Sequence, residues 1–275
     1  MKQAIPPSSK KLERYVQVIW CYSSDSEHSF EKVLPTSKGQ LLINLRQPQL
    51  THWSQPGVVL RTSGPVSLQG ILTQPVIIDT EQKREICGVQ FTPLGLSAFM
   101  HDKASRFTDS MVNGVEVWGD PATILRQNLQ STGDVRIRFE AIQEFLLQRL
   151  IERPAEDAAL EDWINALRSG GRVNTIRSSL GWSQRRLHDL FHRRIGVRPK
   201  LFARLERFSG SLAGVADHTP NSAHAADLQY SDQAHMSREF RHFSGTSPSD
   251  HVTIGQEIAH AHLETDKKFK TGESN

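Results

Sequence analysis

Arginine and glutamine read guanine and adenine edges through paired hydrogen bonds, and histidine and serine supply further donors to bases or phosphates. Gln184, Arg185 and His188 supply these groups within about one helical turn, opposite the apolar Leu187, Leu190 and Phe191. Arg172, Arg193, Arg198 and Lys200 flank them and are assigned to phosphates. A second set follows in Gln233, Ser237 and Arg238, with Arg241 placed for a phosphate. The chemistry these groups offer is recognition of double-stranded DNA rather than bond making.

Catalytic patterns are absent by comparison: the chain has no GxSxG, no P-loop and no GxGxxG after a strand. Nine of the twelve histidines lie between His188 and His262, yet their spacing follows helical repeats rather than converging on a metal. His28 and His52 lack the companion histidine and carboxylate of a metal site, so neither a metal nor another cofactor is expected. Cys21 and Cys87 have no CxxC context and no flanking positive charge, and are read as two small buried residues outside any disulfide framework. Trp20, Phe30, Trp53 and Phe91 would line a small-molecule pocket or form plain core.

The net charge of +3 conceals a strong asymmetry. Residues 1–167 hold 17 basic against 19 acidic side chains, residues 168–207 hold 11 against 2, and residues 208–262 hold 2 against 6. A basic block of that density within an apolar helical pattern marks a phosphate-facing surface. Residues 1–11 contain no apolar leader, and no stretch approaches the ~18 apolar residues of a membrane span. A cytoplasmic protein without membrane contact is expected.

The elements that must position these groups change period along the chain. Between Tyr15 and Phe91 short β-rich runs (15–20, 41–45, 58–60, 75–78 and 86–91) are separated by Gly, Pro, Ser and Asn, which predicts a small barrel or sandwich. Leu94, Leu96, Phe99 and Met100 predict a short helix, and Ile124 to Leu150 predicts two amphipathic helices. The polar, proline-bearing stretch 152–157 breaks the pattern; Leu160, Trp163, Ile164 and Leu167 then form one helix face that stops at Gly170 and Gly171.

Residues 183–199 have a partner 49 positions later, in residues 232–248. Leu187 matches Met236, Phe191 matches Phe240, Gly196 matches Gly245 and Pro199 matches Pro248. Ser183 and Asp232 are good N-caps, the apolar pair at i and i+4 packs inward, glycine ends the helix and proline opens the next. Each copy follows a short helical pattern and a tight turn, as a helix-turn-helix unit requires.

On these residues the segment from about Ile164 to Val252 resembles the DNA-binding domain of the AraC/XylS family of transcription regulators, most closely at 230–241 (Tyr-Ser-Asp-Gln-Ala-His-Met-Ser-Arg-Glu-Phe-Arg) and 245–248 (Gly-Thr-Ser-Pro). Gln229 stands where that family usually has glycine, and Asp189 where it usually has a basic residue. Residues 12–150 resemble more faintly the degenerate cupin-like sensor domain of some members, through 31–35, 41–45 and 88–95.

The resemblance implies an α+β chain: a cupin-like β-core followed by helices, then an all-α domain whose two helix-turn-helix units are joined by a helix from Lys200 to about Leu212. The corresponding division is a disordered 1–11, a sensor domain over 12–150, a linker over 151–158, a DNA-binding domain over 159–262 and a disordered tail over 263–275. It implies a sequence-specific regulator acting as monomer or homodimer, a small-molecule effector or self-association role for the first domain, and RNA polymerase as a partner by family analogy. The alternative is a cupin-like enzyme fused to a DNA-targeting module.

Overall fold

The computed structural model describes residues 2–24, 30–216, 230 and 232–248. Its first part is built from β1 (Lys2–Ile5), β2 (Val16–Ser23), β3 (Phe30–Val33), β4 (Gln40–Asn44), β5 (Leu50–Gln55), β6 (Val58–Ser63), β7 (Val66–Gln69), β8 (Val76–Asp79), β9 (Glu85–Phe91) and β10 (Met111–Asn113). They form a six-stranded sheet in the order β1-β2-β9-β4-β7-β10 and a four-stranded sheet in the order β3-β8-β5-β6, every pair antiparallel. Strands β3, β5, β7 and β10 escaped the sequence pattern because runs such as Thr51, His52, Trp53 and Ser54 read as polar, although Thr51 and His52 are buried.

The period-two pleat sorts the large sheet into two faces. Ile19, Cys21, Leu41, Ile43, Leu68, Cys87, Val89 and Phe91 join the main core. Trp20, Tyr22 and Leu42 point the other way and pack around Leu50, Ile86 and Met111, where the two sheets meet. Of the four pocket candidates, Phe91 is therefore plain core, Trp20 lies between the sheets, and Phe30 stands edge-on to Trp53 at 5.9 Å between centroids.

Helices α1 (Lys10–Glu13), α2 (Gly114–Trp118), α3 (Asp120–Gln130) and α4 (Val135–Leu147) complete the first part. Then follow α5 (Pro154–Arg168), α6 (Val173–Ser179), α7 (Gln184–Arg194), α8 (Pro199–Ala216) and α9 (Gln233–Ser244). The expected helix near Leu96 is a single 3-10 turn, Leu96–Ala98, wholly buried.

Three expectations need correction. Within the supposedly disordered 1–11, β1 pairs with β2 along Lys2↔Tyr22 to Ile5↔Ile19, because β2 offers a free edge that short polar strands can occupy. Residues 154–158, assigned to a linker, are the first turn of α5; Pro154 sits where a missing N–H costs nothing, and Asp157 is completely buried. Cys21 and Cys87 lie directly opposite each other on β2 and β9, with Cα atoms 4.1 Å apart, and are joined by a disulfide. Sixty-six positions separate them in the chain, and only strand register brings them together.

One buried cluster runs without a break from Leu12 through the β-region and α5 to Phe243. The two parts thus share a core rather than meeting through a wet seam.

Candidate nucleic-acid interface

The first unit is α6, a turn and α7. Gly181 takes φ +63° in that turn, and Arg177 clasps it by accepting from the Trp182 N–H and donating Nη1 to the Trp182 carbonyl at 2.9 Å. Ser183 caps α7 as expected, its Oγ accepting from the Arg186 N–H at 3.1 Å. Leu187, Leu190 and Phe191 turn inward, where Phe191 meets Trp163 at 4.7 Å and Phe202 at 5.7 Å. Gly196 ends the helix at φ +101°, a conformation that favours glycine.

That packing leaves one side of α7 to solvent. Gln184, Arg185 and His188 are exposed together, and Arg185 is 92 % exposed at its side chain. Asp189 lies one turn along, 3.9 Å from the Arg185 guanidinium, so its charge is partly compensated on the helix itself. Arg172, Arg198 and Lys200 are exposed as assigned. Arg193 is exposed too, but it is ion-paired with Glu156 at 3.1 Å. Arg186, not among the residues expected from the sequence, lies 5.4 Å above the Trp182 ring and shares a groove of about 400 Å³ with Ser183, Arg185, Asp189 and Arg193. Its place beside the capping serine was the available signal.

The basic block is not one phosphate-facing surface. Arg194 is buried against Asp157 and Glu156, Arg168 pairs with Glu206 at 2.7 Å, and Arg204 and Arg207 converge on Glu239 at 2.5 and 3.4 Å. Much of the +9 is therefore structural, and Arg172, Arg185, Arg186, Arg198 and Lys200 are its solvent-facing remainder.

In the second unit, Asp232 caps α9 by accepting from the His235 N–H at 2.6 Å, and Gly245 ends it at φ +79°. Met236, Phe240 and Phe243 face inward, with Phe208 of α8 against Phe240 and Phe243 at 5.4 and 5.1 Å. Gln233, Arg238 and Arg241 are exposed and Ser237 is half-buried. Tyr230 lies buried under Arg207 and accepts from Ser211 Oγ at 3.2 Å; burial chiefly pushes its hydroxyl up to about 12. The helix expected around Ala223, Ala226 and Leu228, the turn at Gln229, and everything from residue 249 onward lie outside the described residues.

Elsewhere, His52 on β5 is buried with Nδ1 unpartnered among the described residues; burial first, and the Arg61 guanidinium second, push it down to about 4. Among the described residues, no three His, Cys, Asp or Glu side chains gather as a metal site, and no helix is long and apolar enough to cross a membrane.

Comparison with known families places residues 178–253 in a helix-turn-helix domain and residues 3–113 in a domain of unknown function, DUF6597. No curated protein matches the chain in sequence. Among solved structures, ToxT from Vibrio cholerae is similar with a TM-score of 0.46 at 10% identity, covering 92% of this chain and 98% of that one. The unsaturated-fatty-acid-bound ToxT from the same organism gives a TM-score of 0.45 at 14% identity, covering 85% and 94%.

Proposed function

We propose that the chain is a sequence-specific transcription regulator of the AraC type, which reads DNA with α7 and α9 of its helix-turn-helix domain over residues 178–253 and senses a small molecule through its two-sheet domain. The observation that carries the reading is α7 itself. Its inner side is sealed against Trp163 and Phe202, while Gln184, Arg185 and His188 stand exposed together at its N-terminal half, the part of a reading helix that meets base edges. Gln233, Ser237 and Arg238 take the same role on α9, and Arg172, Arg198, Lys200 and Arg241 bind phosphates. Arg193 contributes to phosphate binding only when it leaves Glu156.

Half-buried Trp20, Tyr22 and Leu42 between the sheets, with buried His52 on β5, support the sensing role. The protein works in the cytoplasm, where its DNA is, and regulates rather than catalyses. Stoichiometric iron, zinc or manganese in the purified protein would instead point to a cupin-like enzyme. Selection of bound sequences from random DNA is the direct test. The expected product is an asymmetric site spanning about two helical turns; recovery of no motif at moderate salt sinks the proposal.

A further inference from the structure

The C-terminal end of α7 is not held by its own unit alone. Arg194, its last residue, is 3% exposed and reaches three acceptors: Asp157, Glu156 at 3.2 Å and Ser97 Oγ at 2.9 Å. Asp157 is 0% exposed, and its other oxygen accepts from Tyr15 Oη at 2.6 Å and the Arg153 N–H at 3.2 Å. Arg153 in turn donates to the Ser97 carbonyl at 2.9 Å. Two residues beyond the ion pair, Thr108 Oγ1 donates to the Gly196 carbonyl at 2.9 Å, and two residues before it Ser105 Oγ lies 3.3 Å from His192 Nδ1. A side chain at Gly196 would collide with Thr108 and Ala104, so the approach is close.

Tyr15 of the two-sheet domain reaches α7 through Asp157 of α5, whereas Ser97, Ser105 and Thr108 of that domain touch residues 87 to 97 positions further along. They grip the end of α7 remote from Gln184, Arg185 and His188, and leave those side chains open.

We propose that Tyr15, Ser97 and Thr108 are positioning residues for DNA binding, and that the Arg194–Asp157 pair is the point through which a rearrangement of the sensor domain reaches the first reading helix. The physical basis is the cost of leaving a buried charge short of partners. While Tyr15 and Ser97 complete the shells of Asp157 and Arg194, one orientation of α7 dominates. When they withdraw, the competent fraction falls and apparent affinity falls with it. The direction is support, because the gripped end is not the reading end.

This inference rests on the regulator reading, and the test separates the two. Full-length Tyr15→Phe and Thr108→Val are compared with the wild type by hydrogen exchange without DNA, and by footprinting on a selected site and on versions with either half scrambled. Tyr15→Phe keeps the ring in its packing and removes only the hydroxyl. Expected are faster exchange over 190–196 with 233–244 unchanged, and about tenfold weaker binding that depends on the first half-site alone. Wild-type exchange in both variants overturns the coupling. So does equal weakening at both half-sites in step with a lowered melting temperature, which is a plain loss of stability, and so does tighter binding, which makes the sensor domain a brake. If the wild type selects no DNA, the regulator reading fails, while the exchange arm still supports or overturns the coupling.

Discussion

Helices α7 and α9 share side-chain caps, inward anchors and C-terminal glycines, yet they are anchored differently. The C-terminal end of α7 is set into the sensor domain through Arg194, His192 and Gly196. Helix α9 hangs instead on α8: buried Glu239 holds Arg204 and Arg207, and Phe208 fills the space against Phe240 and Phe243. A long side-chain hydrogen bond ties it to the sensor domain, from Lys32 Nζ to the Ser244 carbonyl at 3.5 Å. The same short repeat is thus mounted once on a regulatory domain and once on a connecting helix. A ligand that reshapes the sensor domain has, on the proposed coupling, a direct mechanical route to the first half-site, whereas the second follows mainly through α8.

The largest effect that separates the mounts is expected at Glu239. Replacing it by alanine leaves two arginines beside a vacated, buried position; since both arginines are partly exposed, the loss is about 2–3 kcal/mol, below the 3–5 of a fully buried pair. Protection of the second half-site should disappear in footprints while the first persists. Equal loss at both would mean that the units are not separately mounted.

At the reading surface, Arg185→Ala should remove about 1–3 kcal/mol and relax specificity at one base position. Arg238→Ala should cost less, because the flanking charge that binds phosphate is concentrated around α7. Quantitative footprinting of both mutants checks the order; a larger loss for Arg238→Ala reverses the assignment of the dominant head.

Acid offers a subtler probe. His52 is held neutral, with a folded value of about 4 against the ordinary 6.5. As pH falls, the unfolded chain takes up this proton first. Its contribution is therefore complete above about 6.5 and is lost progressively toward 4, amounting to about 2 kcal/mol of folding stability by pH 5. Melting curves between pH 7 and 5 should show the decline, and His52→Leu should flatten it. Since the sensor domain supports α7 more than α9, acid should weaken the first half-site before the second.

The smallest expected difference lies among the phosphate candidates. Loss of Arg198 or Lys200 should flatten the salt dependence of binding by about one unit of slope each. Arg193→Ala should change it less, because Glu156 already neutralises that guanidinium. Salt titrations of the three mutants rank them; an equal change for Arg193 would show that its pair opens on DNA.

Everything the repeat fixes locally was legible from one sequence. Ser183 and Asp232 as caps, Gly196 and Gly245 at positive φ, Pro199 opening α8, and Gln184, Arg185 and His188 sharing an exposed face all follow from interactions within a few residues and a period of 3.6. Alternation likewise marked the apolar strands, but not β5, whose polar residues turn inward.

Partnership was not legible. Nothing in the adjacent pair Arg193 and Arg194 says that the first points to solvent and the second into a buried cage, or that the arginines of the basic block answer to Glu156, Asp157, Glu206 and Glu239, each more than thirty positions away. Cys21 gave no sign of Cys87, and Tyr15 none of Asp157. Helical and strand periods state which way a side chain faces, because that is set by its own backbone. What it meets there depends on how distant segments pack, and for this protein that packing divides the arginines between ion pairs and solvent.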